Sequence, residues 1–179
     1  MRRLAHLFWS LVLAMSIVNG SAGAADLENQ LYLDTAHGRV VIELRPDLAP
    51  KHVEQIKALT RDGFYDGIIF HRVIDGFMAQ TGDPTGTGTG GSDRPDLPAE
   101  FSSAKFERGT VGMARAQSPN SANSQFFINF VETPFLNGQY TIWGQVVEGM
   151  EHVDAIAKGE PPASPDKIVK MQVAADAKS

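Results

Sequence analysis

The sequence predicts an all-β domain, either a sandwich or a barrel. It carries many short apolar segments of alternating pattern, turn signals built on Gly, Asp and Asn between them, and only two stretches with helical periodicity. Pattern alone does not choose between the two architectures. A chain of 179 residues has room for one domain and one core, and can bury well over half of its surface.

The amino terminus reads as an address. Arg2 and Arg3 precede an apolar run over 7–18, followed by Asn19-Gly20-Ser21-Ala22-Gly23-Ala24-Ala25. A basic start, an apolar run of this length and a small-residue site make a secretory signal peptide. The run is shorter than the roughly 20 apolar residues that a membrane span needs. An uncleaved amphipathic anchor is the alternative, and the Ala22-Gly23-Ala24 site argues against it. No cysteine follows the run, so a cysteine-linked lipid anchor is excluded. The expected organisation is a signal peptide over 1–24 and one domain over 25–179, exported to the periplasm or fully secreted, with no stable membrane anchor.

The formal net charge of −5 becomes more negative once Arg2 and Arg3 are removed. That balance argues against nucleic acid and anionic membrane as partners, which call for basic patches. The absence of cysteine excludes disulfides, a thiol nucleophile and thiolate metal sites. No cofactor and no metal are expected.

Gln30–Thr35 and 38–45 flank Ala36-His37-Gly38 and read as a hairpin; Val40, Ile42 and Leu44 alternate with Arg39, Val41 and Glu43. Pro50 opens a helix over Pro50–Arg61, with Val53, Ile56 and Leu59 on its buried face and Gly63 as its stop. His52 lies off that stripe and is read as a solvated surface residue. The segments 68–74 and 77–81 form a second hairpin around Asp75-Gly76, with Met78 and Gln80 on one face. His71 is expected to be structural, bonded to backbone. The segments 109–114, 125–131 and 140–147 are further strands. Gln125, Phe127 and Asn129 alternate with Phe126, Ile128 and Phe130, so Phe127 faces outward unless something covers it. A short helix over 149–158 and a last strand over 167–173 complete the domain.

Between the second hairpin and the next strand, Gly86-Thr87-Gly88-Thr89-Gly90-Gly91 matches G-x-G-x-x-G. A dinucleotide site needs that match to open a helix. Ser92-Asp93-Arg94-Pro95 comes next instead, and no Lys completes a phosphate loop. A nucleotide-dependent oxidoreductase is excluded on that context.

Two stretches carry more information. Phe70-His71-Arg72 leads to Gly76-Phe77-Met78-Ala79-Gln80-Thr81-Gly82-Asp83, and Ser124-Gln125-Phe126-Phe127 comes later in the chain. Together they resemble the FHR…GFM.QGGD and GSQFF blocks of the cyclophilin family of peptidyl-prolyl isomerases, and the likeness runs from about residue 30 to 173. Thr81 stands where the family has the middle Gly. The resemblance implies an eight-stranded antiparallel closed barrel capped by two α-helices, with the substrate groove on its outer surface. It implies that Arg72 is the catalytic arginine and that Gln80 orients it. Phe77, Met78, Phe127 and Leu136 would form the proline pocket, Gln125 a groove contact, and Ala114, Arg115 and Ala116 a backbone contact to substrate. Arg115 stands where Asn is common, Phe135 replaces a Trp, and Tyr140 replaces a His. Loss of the indole donor implies weak binding of cyclosporin. The implied partners are proline-containing polypeptides, and a monomer is expected.

That chemistry agrees with what the chain lacks. It shows no nucleophile–base pair, no metal set and no Lys suited to a Schiff base, and Arg115 reads as ordinary surface charge. Rotation about an X–Pro bond needs none of these. Its barrier of about 18–20 kcal/mol comes from amide resonance, and a donor aimed at the nitrogen of the twisted amide lowers it by differential binding. A polypeptide-binding chaperone using the same groove, with incidental isomerase activity, is the alternative. Cleavage after Ala24 is expected, so amino-terminal sequencing of exported protein should begin at Ala25; a mature chain beginning at Met1 would refute export through this leader.

Overall fold

The structure is a computed structural model that describes residues 27–177, so the expected leader and its expected cleavage site lie outside the described residues. In chain order the elements are β1 (Gln30–Thr35), β2 (Gly38–Leu44), α1 (Pro50–Arg61), β3 (Arg72–Ile74), β4 (Met78–Thr81), β5 (Thr110–Met113), β6 (Phe126–Asn129), β7 (Ile142–Glu148), α2 (Met150–Asp154) and β8 (Lys170–Val173). All eight strands join one antiparallel sheet in the order β3-β4-β6-β5-β7-β2-β1-β8.

The sheet curls until its two edges meet. They are stitched by the segments that precede β3 and β8 rather than by the strands themselves. Ile69 bridges Lys167. The Phe70 N–H donates to Asp166 O at 2.9 Å, and the Ile168 N–H to Ile68 O at 2.9 Å. The barrel that the resemblance implies is therefore a curled sheet closed by a short seam. Two expected strands contract for this reason: 68–74 to β3 and 167–173 to β8.

Inside the curl, Phe126 is the hub. Tyr65 meets its ring edge-on at 5.6 Å and Trp143 at 5.3 Å, and all three are fully buried. Such edge-to-face pairs add to the stabilisation that comes from area alone. The Tyr65 hydroxyl, which a dry core would leave unpaired, donates to Ser124 O at 3.0 Å. Val53, Ile56 and Leu59 of α1 join the same core, as the helical stripe predicts.

The second hairpin turns over three residues, because Ile74 pairs directly with Met78. Gly76, with φ of +66°, supplies the left-handed residue of that turn. Phe77 consequently belongs to the turn and not to the strand. Helix α2 is shorter than the expected 149–158, although Ile156 beyond its end is still buried.

His52 is a correction. It is 0 % exposed and its Nδ1 lies 2.6 Å from Glu100 Oε2. The same carboxylate accepts the N–H groups of Lys51 and His52 at 3.2 and 3.0 Å, satisfying the first turn of α1, where Ala49 offers no side chain to do so. The connections between β4 and β5 and between β5 and β6 lie over this side of the helix: Gln55 donates to Pro95 O in the first and to Asn123 O in the second. Helical periodicity reports which face meets the sheet and says nothing of a loop that covers another face. Burial lowers the His52 pKa, and Glu100 opposes that shift.

Asp83 anchors the glycine-rich loop. Its Oδ1 accepts from Thr85 N and Oγ1, both at 2.7 Å, and its Oδ2 accepts from Gly88 N at 2.6 Å and Gly90 N at 3.0 Å. Burial raises its pKa, yet the bonds from Thr85, Gly90 and Gly88 outweigh burial and bring it down to about 2. A carboxylate depressed below its unfolded value contributes stability above that value, and the contribution is lost as pH falls towards about 2. Asp83→Asn should therefore lower stability at pH 7 by about 2 kcal/mol, at about 1.4 kcal/mol per pKa unit. It should also remove part of the acid-induced loss between about pH 4 and 2. Denaturant titrations across that range check both, and a variant with the wild-type acid slope would refute the anchor role.

Candidate active site

The site arises from strand parity and register. On β4, Ala79 and Thr81 point into the barrel while Met78 and Gln80 point out; on β6, Phe126 and Ile128 point in while Phe127 points out. Arg72 of β3 is the cross-strand partner of Gln80, Gln80 is the partner of Phe127, and Phe127 is the partner of Gly112 on β5. One row of outward residues thus runs straight across adjacent strands, which stand about 4.8 Å apart. A cation, an amide and an aromatic ring are set side by side by backbone hydrogen bonds.

The apolar end of the row is a second hydrophobic cluster on the outside of the barrel. Phe127 is 5 % exposed, covered by Met78, Phe106, Ala114, Leu136 and Ile142, with Phe77 and Tyr140 half-buried against them. The Phe127 ring lies nearly parallel to Phe106 at 5.7 Å, and Tyr140 meets it edge-on at 5.8 Å. Phe135 stands on a turn of 3-10 helix, Pro134–Leu136, 68 % exposed and 5.6 Å from the Phe77 ring. Together they make an apolar patch on the outer face, bordered by the exposed Phe135 ring.

The polar end is a chain of hydrogen bonds with a forced direction. The Gln125 amide donates to the carbonyls of Gly88 and Gly90 at 3.1 and 2.8 Å. Carbonyls only accept, so Gln125 must turn its oxygen towards Gln80, whose Nε2 donates to it at 2.9 Å. Gln80 then turns its own oxygen to Arg72, which donates from Nη1 at 3.4 Å. Arg72 also donates from Nε to Glu160 Oε1 at 2.7 Å. Beyond Gln80 and Gln125 a groove of about 500 Å³ continues past Asp96, Arg115 and Asn123.

The matching family model is that of the cyclophilin type peptidyl-prolyl cis-trans isomerase/CLD, over residues 30–173. The chain belongs to the cyclophilin family. It is 58 % identical over 174 residues to a probable peptidyl-prolyl cis-trans isomerase of Brucella suis, spanning 88 % of this chain and 89 % of that one. A Schizosaccharomyces pombe isomerase, ppi1, is 40 % identical over 147 residues, 77 % of this chain and 94 % of that one. Among solved structures, the Hirschia baltica cyclophilin AquaCyp293 superposes with a TM-score of 0.80 at 31 % identity, covering 86 % of this chain and 76 % of that one. A Cryptosporidium parvum cyclophilin, crystallised in the presence of the dipeptide ala-pro, gives 0.75 at 33 % identity, over 80 % of this chain and 98 % of that one.

Within this cyclophilin all the residues expected at the site gather on one outer face, along the row and its borders. Ala114 is tied down, its N–H donating to Gln125 O at 2.9 Å, and the Ala116 N–H donates to Ser121 Oγ at 3.0 Å. Arg115 is a correction, because it is no ordinary surface charge. Its Nη1 donates to Ala116 O and Gln117 O, its Nη2 to Gln139 O, and its guanidinium lies 4.6 Å from the Tyr140 ring centre. It braces two loops that border the pocket. Thr81, the departure from the family block, is fully buried and donates to Ile69 O at 2.9 Å, which ties β4 to the seam. The backbone bond expected of His71 is not seen: both ring nitrogens are buried without a partner among the described residues. Its ring sits beneath Gly88, where burial lowers its pKa against the pull of Asp83.

Sequence reading missed three contributors. Phe106 floors the pocket. Asn137 accepts the Phe106 N–H at 2.8 Å. Glu160 holds Arg72. None belongs to an alternating segment, so no periodicity marks them.

Gly112 shows how tightly the pocket is built. A Cβ there would stand 2.5 Å from Phe127 Cζ and 2.6 Å from Phe106 Cε1. Gly112→Ala should push both rings outward, destabilising the fold by about 1–3 kcal/mol as overpacking does. It should also lower kcat/KM for X–Pro peptides. Denaturation and isomerisation assays together check this; a variant with both values at wild type would show that the rings yield freely.

Proposed function

We propose that this cyclophilin rotates X–Pro bonds in exported polypeptides, with Arg72 as the donor to the twisted amide. The observation that carries the proposal is the row Arg72–Gln80–Phe127, which sets an oriented guanidinium beside an apolar pocket. The export half rests on the leader over 1–24, whose pattern supports passage out of the cytoplasm into the periplasm.

On this reading each group has one step. Met78, Phe127 and Leu136 take the proline ring, whose burial holds it still. The carbonyl of the preceding residue then swings about the amide bond. As the bond twists, conjugation is lost and the lone pair returns to the proline nitrogen. The Arg72 N–H groups bind that lone pair, which neither planar form offers to the same degree, so the gain falls on the transition state. Arg suits the role because it stays charged and presents its donors in a fixed fork. No bond is made or broken. The ala-pro dipeptide used with the Cryptosporidium parvum relative is of the class that this pocket would take. Phe135, on the rim beside Phe77, brings an aromatic face without an indole donor, which supports weak cyclosporin binding.

Arg72→Ala should lower kcat on the order of 10²–10³-fold while leaving peptide affinity nearly intact, as loss of one preorganised donor does. Phe127→Ala should weaken affinity together with rate, because it opens the pocket in ground and transition states alike. Both are read on one X–Pro peptide with folding confirmed by circular dichroism. A folded Arg72→Ala that isomerises at the wild-type rate would rule out Arg72 as the donor.

A further inference from the structure

The connection after α2 reaches the catalytic row from outside the sheet. Gly159 and Val73 exchange backbone hydrogen bonds in both directions, each 2.8 Å long. Val73 is the neighbour of Arg72, so this pairing delivers Glu160 to the Arg72 side chain. The connection has little freedom to move away. Gly159 has φ of +145°, a Cβ on it would stand 2.6 Å from Pro162 Cα, and the Pro161 and Pro162 rings stiffen the chain just beyond Glu160.

The Arg72–Glu160 pair is a poor stabiliser. The two side chains are 41 % and 54 % exposed, and solvated pairs of this kind contribute little to folding. Its geometry matters more than its strength. Glu160 takes Nε from one side and the Gln80 oxygen takes Nη1 from the other, while Nη2 has no partner among the described residues. Two contacts on a planar fork fix both its direction and its rotation. A carboxylate this close also weakens the field of the cation at the substrate, so orientation and field act in opposite senses.

We propose that Glu160 is a positioning residue for the isomerisation: with Gln80 it clamps the Arg72 guanidinium so that Nη2 faces the substrate amide. The proposal rests on the reading of Arg72 as the donor, and it holds that orientation outweighs the loss of field.

The test uses the mature protein and one X–Pro peptide, with Glu160→Gln, Glu160→Ala, Arg72→Ala and the Arg72→Ala/Glu160→Ala double variant. Glu160→Ala should lower kcat on the order of tenfold, since a small misplacement of a catalytic group is costly. Its KM and its thermal midpoint should stay at wild type. Glu160→Gln keeps an acceptor and should fall between. In the Arg72→Ala background Glu160→Ala should change nothing further, because its effect passes through the guanidinium. A Glu160→Ala variant as fast as or faster than wild type would overturn the clamp, as would a lowered thermal midpoint or an equal rate loss in the Arg72→Ala background. The two readings fail separately. Wild-type rate in Arg72→Ala refutes the donor itself, whereas a slow Arg72→Ala beside a fast Glu160→Ala refutes only the role of Glu160.

Discussion

Phe126 and Phe127 are adjacent in the chain and point in opposite directions, and most of the molecule depends on keeping them so. The pleat sends Phe126 inward to Tyr65 and Trp143, where it is the hub of the barrel core. The same pleat sends Phe127 outward to Phe106, Met78 and Leu136, where it forms the pocket. A slip of one residue in the pairing of β6 would exchange the two rings and destroy core and site together. Stability of the core thus enforces the register of the site. Selection for a well-packed interior and selection for a precise pocket act on one set of backbone hydrogen bonds.

The electrostatic half of the site is organised in the same economical way. Asp83, Gly88, Gly90, Gln125, Gln80 and Arg72 form one directed path from a buried carboxylate to an exposed cation. Each donor leaves its neighbour a single orientation. If the substrate twists beside Arg72 as proposed, the amides need not reorganise, and fixed dipoles are then more effective than water at stabilising a transient charge distribution. The glycine-rich loop, which matches a phosphate-binding pattern by composition alone, serves here as the fixed end of that path.

The strands and the face each residue takes were legible because period-two alternation is a local property. The alternation of Gln125, Phe127 and Asn129 with Phe126, Ile128 and Phe130 is enough by itself to place the pocket ring on the outer face. The motif residues themselves were legible by resemblance, and the structure assembles them on one face. What stayed hidden depends on segments distant in sequence and without a period. His52 is buried against Glu100, 48 positions away, on a side of the helix where Gln55 bonds to Pro95 O and Asn123 O. Arg115 looks like a surface charge until the Gln139 carbonyl and the Tyr140 ring close around it. Glu160 lies 88 residues from Arg72. The closure of the barrel is hidden for the same reason, since its seam is made of isolated bonds rather than of strands.

A reaction without covalent steps places an unusual demand on its catalyst. No nucleophile has to be activated and no pKa matched, so nothing in the site needs to be reactive; everything in it needs to be still. The row meets that demand by standing on strands β3, β4, β6 and β5, and the side chains that complete it are held by backbone atoms or by one another. On the proposed reading the parts free to move are the substrate's own: one carbonyl swinging past the Arg72 guanidinium while its proline ring is buried. With Arg72 as the proposed donor, rate enhancement depends on how small the angular spread of its fork is. If Arg72 is the donor, as proposed, then residues without contact to the amide, the Gln80–Gln125 pair and the floor under Phe127 among them, serve the reaction by holding the groups that do touch it.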